Sequence, residues 1–479
     1  MANIFAKDER PSGHICDALV LGLFEGQELD AEMKKIDGAL NGEISFLIKS
    51  KEFKGENGQI KIISTQRRIP AKKIVLAGLG KEREFTNERL RRISAASAKA
   101  IREQGIKNFS TTLNSNVQAV VEGIVLGLYE FKKYVTVEKN KIKVVDSVTV
   151  LGKGIDKSVK KAVIISEAVC YARDLVNEPA NKATPSYLAK EAEKLNAKVK
   201  VFGKDEIEKM GMGGLLAVSK GSSEEPKFIV IDCNSGKEPP IVFVGKGITF
   251  DSGGLDIKPA PNMEDMKCDM AGAATVIATI KAAHELGIKK HIVGIIPSCE
   301  NMLGPKSYRP GDIITAYNGK TVEVWNTDAE GRLILMDALS YAEKNFRPAA
   351  IIDIATLTGA SIIALGNDIV SLTASDEKLK KKVLDASKKT DEMMWELPMI
   401  EDYKDMIKGE IGDLRNMPKE MYYPGTIIGG IFLKNFVEKT PWVHLDIGAT
   451  GISPSDRHYR KKGGTGVCLR TFIQLLEEW

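Results

Sequence analysis

The sequence predicts an α/β protein of two unequal domains, a smaller N-terminal α/β domain over 1–150 and a larger C-terminal α/β domain over 177–479, with a linking helix over 151–176. Three observations carry this expectation. The chain has 479 residues, more than one domain of roughly 150 residues needs. Short apolar runs alternate with amphipathic stretches, the rhythm of strands and the helices that cover them. Residues 156–176 (DKSVKKAVIISEAVCYARDLV) form one unbroken amphipathic pattern that stops at NEPANKATPS (177–186), where two prolines forbid continuation.

In chain order, the run KKIVLAGLG reads as a short apolar strand ending in glycines. Thr86 then caps a helix in which Leu90, Ile93, Ser97 and Ile101 recur at helical spacing, and Gly105 ends it. A second helix is expected near 117–131. The segment YVTVEKNKIKVVDSV (134–148) alternates like edge strands and closes the domain. No residue cluster there suggests catalysis, so an accessory or assembly role is expected. The larger domain offers strands at KVKVFG (198–203), KFIVIDC (227–233), PIVFVGKG (240–247), HIVGIIPSC (291–299), AAIIDIATL (349–357) and WVHLDIGAT (442–450). Several are continuous apolar runs, as strands covered on both faces should be. A mixed, largely parallel central sheet flanked by helices follows, with its site beyond the carboxyl ends of the strands.

Composition narrows the function classes. Lys plus Arg number 69 against 64 Asp plus Glu, a formal charge of +5, so bulk electrostatics single out neither nucleic acid nor a membrane surface as the main partner. No basic segment leads into a long apolar core near the N-terminus, and no window approaches the ~20 apolar residues of a membrane span. A cytoplasmic protein is expected. The six cysteines include no CxxC pair and read as reduced, mostly buried small residues. With only five histidines, a metal site would have to be built from other ligands.

Three segments concentrate such ligands. In PIVFVGKGITFDSGG (240–254), Lys246 starts at the end of a buried strand, where burial disfavours its charged form and can leave a neutral, metal-binding amine. Asp251 follows at a glycine-flanked turn that can fold its carboxylate back; a snorkelling lysine beside a capping aspartate is the plain alternative. In the second segment, Asp269 immediately precedes the small-residue helix MAGAATVIATI and is either a ligand or a helix cap. Lys258, stiffened by Pro259, could hold a fixed charge over a cleft, whereas Asp256, Glu264 and Asp265 read as surface acids. In VEVWNTDAEGRLILMDALSYA (322–342), Asp328 and Glu330 are spaced to face one point, with Arg332 beside them. A Thr327–Glu330 capping box is the competing reading. Together Lys246, Asp251, Asp269, Asp328 and Glu330 supply four carboxylates and one amine, a set suited to a pair of divalent cations. Lys258 and Arg332 remain to stabilise a developing oxyanion. A two-metal phosphatase or nuclease could use the same carboxylates, but GKGITFDSGG is a poor phosphate-cradling loop.

NTDAEGRL (326–333) with VGKGITFDSGG (244–254) resembles the signature of the leucyl (cytosol) aminopeptidases, the M17 metallopeptidase family. The resemblance extends through ARDLVNEPANKATPSYLA (172–189), ENMLGPKSYRPGDII (300–314), IIDIATLTGA (351–360) and WVHLDIGATG (442–451). It implies a catalytic metallopeptidase domain and two divalent ions, zinc or manganese with magnesium possible. The tighter ion would be held by Lys246, Asp251, Asp269 and Glu330, and the exchangeable one by Asp251, Asp328 and Glu330. Lys258 and Arg332 match the family's catalytic pair, the arginine holding bicarbonate. Met266, Thr356, Leu357 and Gly359 match positions that bind the first side chain and backbone of a peptide substrate. The resemblance further implies release of leucine-like N-terminal residues and a homohexamer, a dimer of trimers.

Overall fold

The computed structural model describes residues 2–137 and 142–479. The chain forms two compact units, Met1–Cys170 with Ser455–Lys462, and Tyr171–Pro454 with Gly463–Trp479. The boundary falls within the helix Asp156–Asn177.

The first unit holds a six-stranded sheet in the order Asn3–Lys7, Ser147–Leu151, Asn108–Thr111, Ala18–Phe24, Lys73–Gly80, Ile60–Ser64. Only the last pair is antiparallel. Period-two alternation sends Leu19, Leu21 and Leu23 to one buried face and Val20 to the other. The helix Asn87–Glu103 begins as expected, with the Arg89 N–H donated to Thr86 Oγ1 at 3.2 Å. The second helix stops at Leu128, short of 131, because Tyr129 turns to an extended ψ of 135°. The edge-strand expectation for 134–148 fails. Residues 138–141 lie outside the described residues, and among the described residues of this stretch strand begins at Ser147. That strand is interior, paired on both sides, with Val148 and Val150 fully buried. Within this unit Tyr459 Oη donates to Glu88 Oε2 at 3.0 Å, which docks the returning segment 455–462.

The second unit is built on a nine-stranded sheet. Its main path runs Met394–Glu396, Val370–Ala374, Trp442–Asp446, Ala350–Ala355, Ile241–Gly245, Ile292–Asn301, Lys227–Cys233, Lys198–Phe202. The four central strands from Trp442–Asp446 to Ile292–Asn301 pair in parallel, and antiparallel strands flank them. Gly247–Asp251 pairs in parallel with the far end of Ile292–Asn301. Val242 and Val244 pack toward the helices Gly213–Ser219, Gly331–Phe346 and Gly425–Lys434. Phe243 meets Phe472 of the helix Leu469–Glu478 at a ring separation of 4.7 Å. A strand covered on both faces has no polar side to show, which is why these runs are apolar throughout. Among the described residues, no helix is long and apolar enough to cross a membrane.

The helix Gly331–Phe346 is fixed in this unit by Asp337, whose carboxylate accepts the N–H groups of Leu215 (3.0 Å) and Tyr317 (2.9 Å). Burial outweighs these bonds and pushes the carboxyl up to about 7. An acid whose folded value is raised holds its proton in the native state after the unfolded chain has released it. Its contribution is therefore complete below pH ~4 and is lost as pH rises toward 7. The melting temperature of wild type is expected to fall across this window more steeply than that of Asp337→Asn, which cannot ionise; parallel calorimetric profiles would remove Asp337 as the cause.

Candidate metal centre

The site forms where the central strands end. Lys246 follows the strand Ile241–Gly245 and is buried; its Nζ lies 2.8 Å from Asp269 Oδ2 and 2.7 Å from Glu330 Oε1, and donates to the Thr356 carbonyl at 2.8 Å. The lysine passes so close to the start of the next helix that a Cβ at Gly331 would sit 2.5 Å from its Cε. A side chain there would have to displace the end of Lys246 from its carboxylates.

Asp251 ends the strand Gly247–Asp251. Its Oδ1 accepts N–H bonds from Gly253 (2.9 Å) and Asn301 Nδ2 (2.8 Å), while Oδ2 faces Lys258 Nζ at 2.9 Å. Gly253, at φ +88°, supplies the left-handed turn that brings the chain back. Lys258 Nζ also contacts Asp328 Oδ1. Asp328 stands in the turn before the helix Gly331–Phe346, where Asn326 Oδ1 accepts its N–H at 2.6 Å. One oxygen from each of Asp251, Asp328 and Glu330 lies within 4.8 Å of the others.

Two competing readings fall. Asp269 is not a helix cap: it lies in the short turn Met266–Met270, and Thr356 Oγ1 donates to its Oδ1 at 2.6 Å. The Thr327–Glu330 capping box does not form either, since Thr327 Oγ1 donates to the Gly253 carbonyl (2.7 Å) and Asp256 Oδ2 (3.0 Å). Asp256, read as a surface acid, therefore braces the residue next to Asp328 and also accepts the Thr327 N–H at 2.7 Å.

Electrostatics explain the packing. Burial alone would neutralise Lys246, as the sequence suggests, but Asp269, Glu330 and Asp251 outweigh it and hold the ammonium above its ordinary range. Burial likewise raises Asp251, Asp269 and Asp328, the last to about 7, because each carboxylate also repels its neighbours. Glu330 is the exception, held below its usual value against burial by Lys246 and Lys258. Crowded carboxylates of this kind call for more positive charge than two lysines carry. Glu330 Oε2 is buried without a hydrogen-bond partner. That unused oxygen and the convergence of Asp251, Asp328 and Glu330 fit a divalent cation.

Arg332 is buried nearby, its Nη1 donating to the Asn416 carbonyl at 2.7 Å and its guanidinium 5.9 Å above the Phe432 ring. Its Nε has no hydrogen-bond partner, and no carboxylate lies at ion-pair distance among the described residues. Thr356 joins the cluster through Lys246 and Asp269. Leu357 donates its N–H to Asp446 Oδ1 at 3.1 Å, and exposed Gly359 precedes the helix Ala360–Leu365 with open space around its Cα. Met266 is half-buried, three residues before Asp269.

Three positioning residues escape sequence reasoning. Asn301 bonds Asp251. Asn416 accepts the Trp325 N–H at 2.7 Å and donates to the Asn326 carbonyl at 2.6 Å. Asp446 accepts from Leu357, Thr358 and Gly448. The only signal is their place at or just beyond strand ends.

The mixed α/β sheet, with a carboxylate–lysine cluster at the ends of its parallel strands, is the frame of a protein able to hold a divalent cation. Family models match 170–473 as the cytosol aminopeptidase family, catalytic domain, and 20–137 as the same family's N-terminal domain. The chain belongs to the cytosol aminopeptidase family, M17, and is a metallo-aminopeptidase by class. It is 40% identical over 485 residues to the "Probable cytosol aminopeptidase" of Geobacter sp. (strain M21), covering 98% of each chain. The protein of that name in Alkaliphilus metalliredigens (strain QYMF) is 41% identical over 492 residues, again covering 98% of each. Among solved structures, a tomato leucine aminopeptidase mutant superposes with a TM-score of 0.88 at 32% identity, covering 100% of this chain and 97% of its own. The bottromycin maturation enzyme BotP in complex with Mn gives 0.87 at 30% identity, covering 97% and 99%.

Proposed function

We propose that this protein removes N-terminal residues, leucine-like ones preferred, from peptides in the cytoplasm, using two divalent cations. The observation that carries the reading is the double role of Glu330. With Lys246, Asp251 and Asp269 it makes one nest of ligands, and with Asp251 and Asp328 a second, so that it serves both, as Asp251 does. Zinc or manganese, with magnesium able to substitute, suits this hard oxygen set with one amine. Bound there, such cations supply Lewis acidity that lowers the pKa of a water and polarises a carbonyl.

The chain's own residues do the rest. Lys258, cationic and partly accessible, stabilises negative charge on the scissile carbonyl oxygen. Arg332, with its buried unpartnered Nε, holds an anion; bicarbonate there would take the proton from the attacking water. Thr356, Leu357, Gly359 and Met266 receive the first side chain and the peptide backbone. A homohexamer, a dimer of trimers, is the assembly proposed with this reading.

Leucine-p-nitroanilide and p-nitrophenyl phosphate, each assayed with Mn²⁺, test the function. Nitroaniline release with no phosphate release is expected, and the reverse would overturn the peptidase reading.

A further inference from the structure

Asn301 ends the strand Ile292–Asn301 and is fully buried. Its single amide nitrogen makes two bonds, to Asp251 Oδ1 at 2.8 Å and to the Thr327 carbonyl at 3.0 Å. Its own carbonyl is fastened by Ser252, through N–H at 2.9 Å and Oγ at 2.8 Å. The amide oxygen Oδ1 is buried without a partner. A buried acceptor left unpaired carries a free-energy cost, so the donor end is what this site uses.

An NH₂ group donates twice and accepts nothing. It therefore requires an acceptor on each side, here a carboxylate oxygen of one ligand segment and the carbonyl just before Asp328 of another. The two segments come from positions 251 and 327 and share no direct hydrogen bond between Asp251 and Thr327. Asn301 is the link. It also occupies Oδ1 of Asp251, together with the Gly253 N–H, so that Oδ2 is the oxygen turned to the cluster.

We propose that Asn301 is a positioning residue that fixes the Asp251–Asp328 geometry and thereby sets the affinity of the cation held by Asp251, Asp328 and Glu330. The cation held by Lys246, Asp251, Asp269 and Glu330 shares only Asp251 with that pair and is weakened less. The inference deepens the two-cation reading above and rests on it. Removing an outer partner of a ligating carboxylate commonly weakens metal binding 10–100-fold.

The test is calorimetric titration of Mn²⁺ into metal-stripped wild type, Asn301→Leu and Asn301→Ala, with melting curves of each stripped protein. Wild type is expected to show two binding events. Both variants should weaken the exchangeable one about 10–100-fold and the tighter one by clearly less, with kcat recovering at high Mn²⁺. An unchanged weaker site in both variants overturns the proposal. So does an equal weakening of both sites together with a lowered melting temperature, which would mark a merely structural role. A single event in wild type overturns the two-cation reading itself, and the inference with it.

Discussion

Glu330→Ala is expected to abolish peptide turnover and to lower the metal content of the protein at once. Glu330 belongs to both ligand nests, as Asp251 does, and its two oxygens do different things. Oε1 sits 2.7 Å from Lys246 Nζ, and Oε2 is buried with no hydrogen-bond partner. Alanine removes the member that holds its charge most firmly against burial. It leaves Lys246, Asp251 and Asp269 in one nest and only Asp251 with Asp328 in the other, so both lose a carboxylate ligand at once. A loss of at least ~10³-fold in kcat/KM is expected, about 4 kcal/mol at 1.36 kcal/mol per tenfold.

Asp328→Ala makes the informative comparison. Asp328 is partly exposed, its side chain 32% accessible against 2% for Glu330, and it contributes to one nest only. It should also abolish turnover while leaving more metal in place than Glu330→Ala does. Elemental analysis after dialysis, alongside kcat/KM on leucine-p-nitroanilide, separates the two variants. Full metal content with full activity in both would falsify the shared-ligand arrangement.

The contrast between legible and hidden parts of the molecule follows from physics. Strands buried on both faces leave continuous apolar runs, so the central strands of the larger unit are legible in place, although three of the expected runs overshoot their ends, 442–450 against Trp442–Asp446 most of all. The strand Ser147–Leu151 is interior too, but it is short and preceded by a polar stretch that alternates, so its pairing could not be inferred from period alone. The ligand segments were legible because carboxylates and a lysine at the ends of apolar strands violate the pattern around them. Their charge states were not. Without a cation Lys246 is held as an ammonium, because three carboxylates, two of them from distant segments, converge on it and only folding brings them there; to ligate a cation its amine must first give up that proton. Asn301, Asn416 and Asp446 were hidden for the same reason. A buried amide or acid that bonds backbone groups of another segment has no local signature, and Asn416 braces residues some ninety positions away.

Lys258→Ala should separate catalysis from metal binding. Lys258 is held in a stiff turn, with its N–H donated to the Ser252 carbonyl at 2.9 Å and Pro259 fixing the next φ. Its ammonium lies between Asp251 Oδ2 and Asp328 Oδ1 and remains partly accessible. Burial pulls its pKa down, but Asp251, Glu330 and Asp328 raise it past its ordinary range, so the group is cationic throughout the neutral range. It offers no anionic ligand. Once divalent cations neutralise the carboxylates, its charge is free to face a substrate oxygen that becomes negative only as the bond breaks. An interaction formed mainly in the transition state lowers kcat when it is lost. Loss of one such donor typically costs 10²–10³-fold, about 2.7–4 kcal/mol. Metal content should match wild type, and KM should move far less than kcat. A variant that loses metal in parallel with activity would place Lys258 among the groups that build the centre, and a variant with unchanged kcat would remove it from the chemistry.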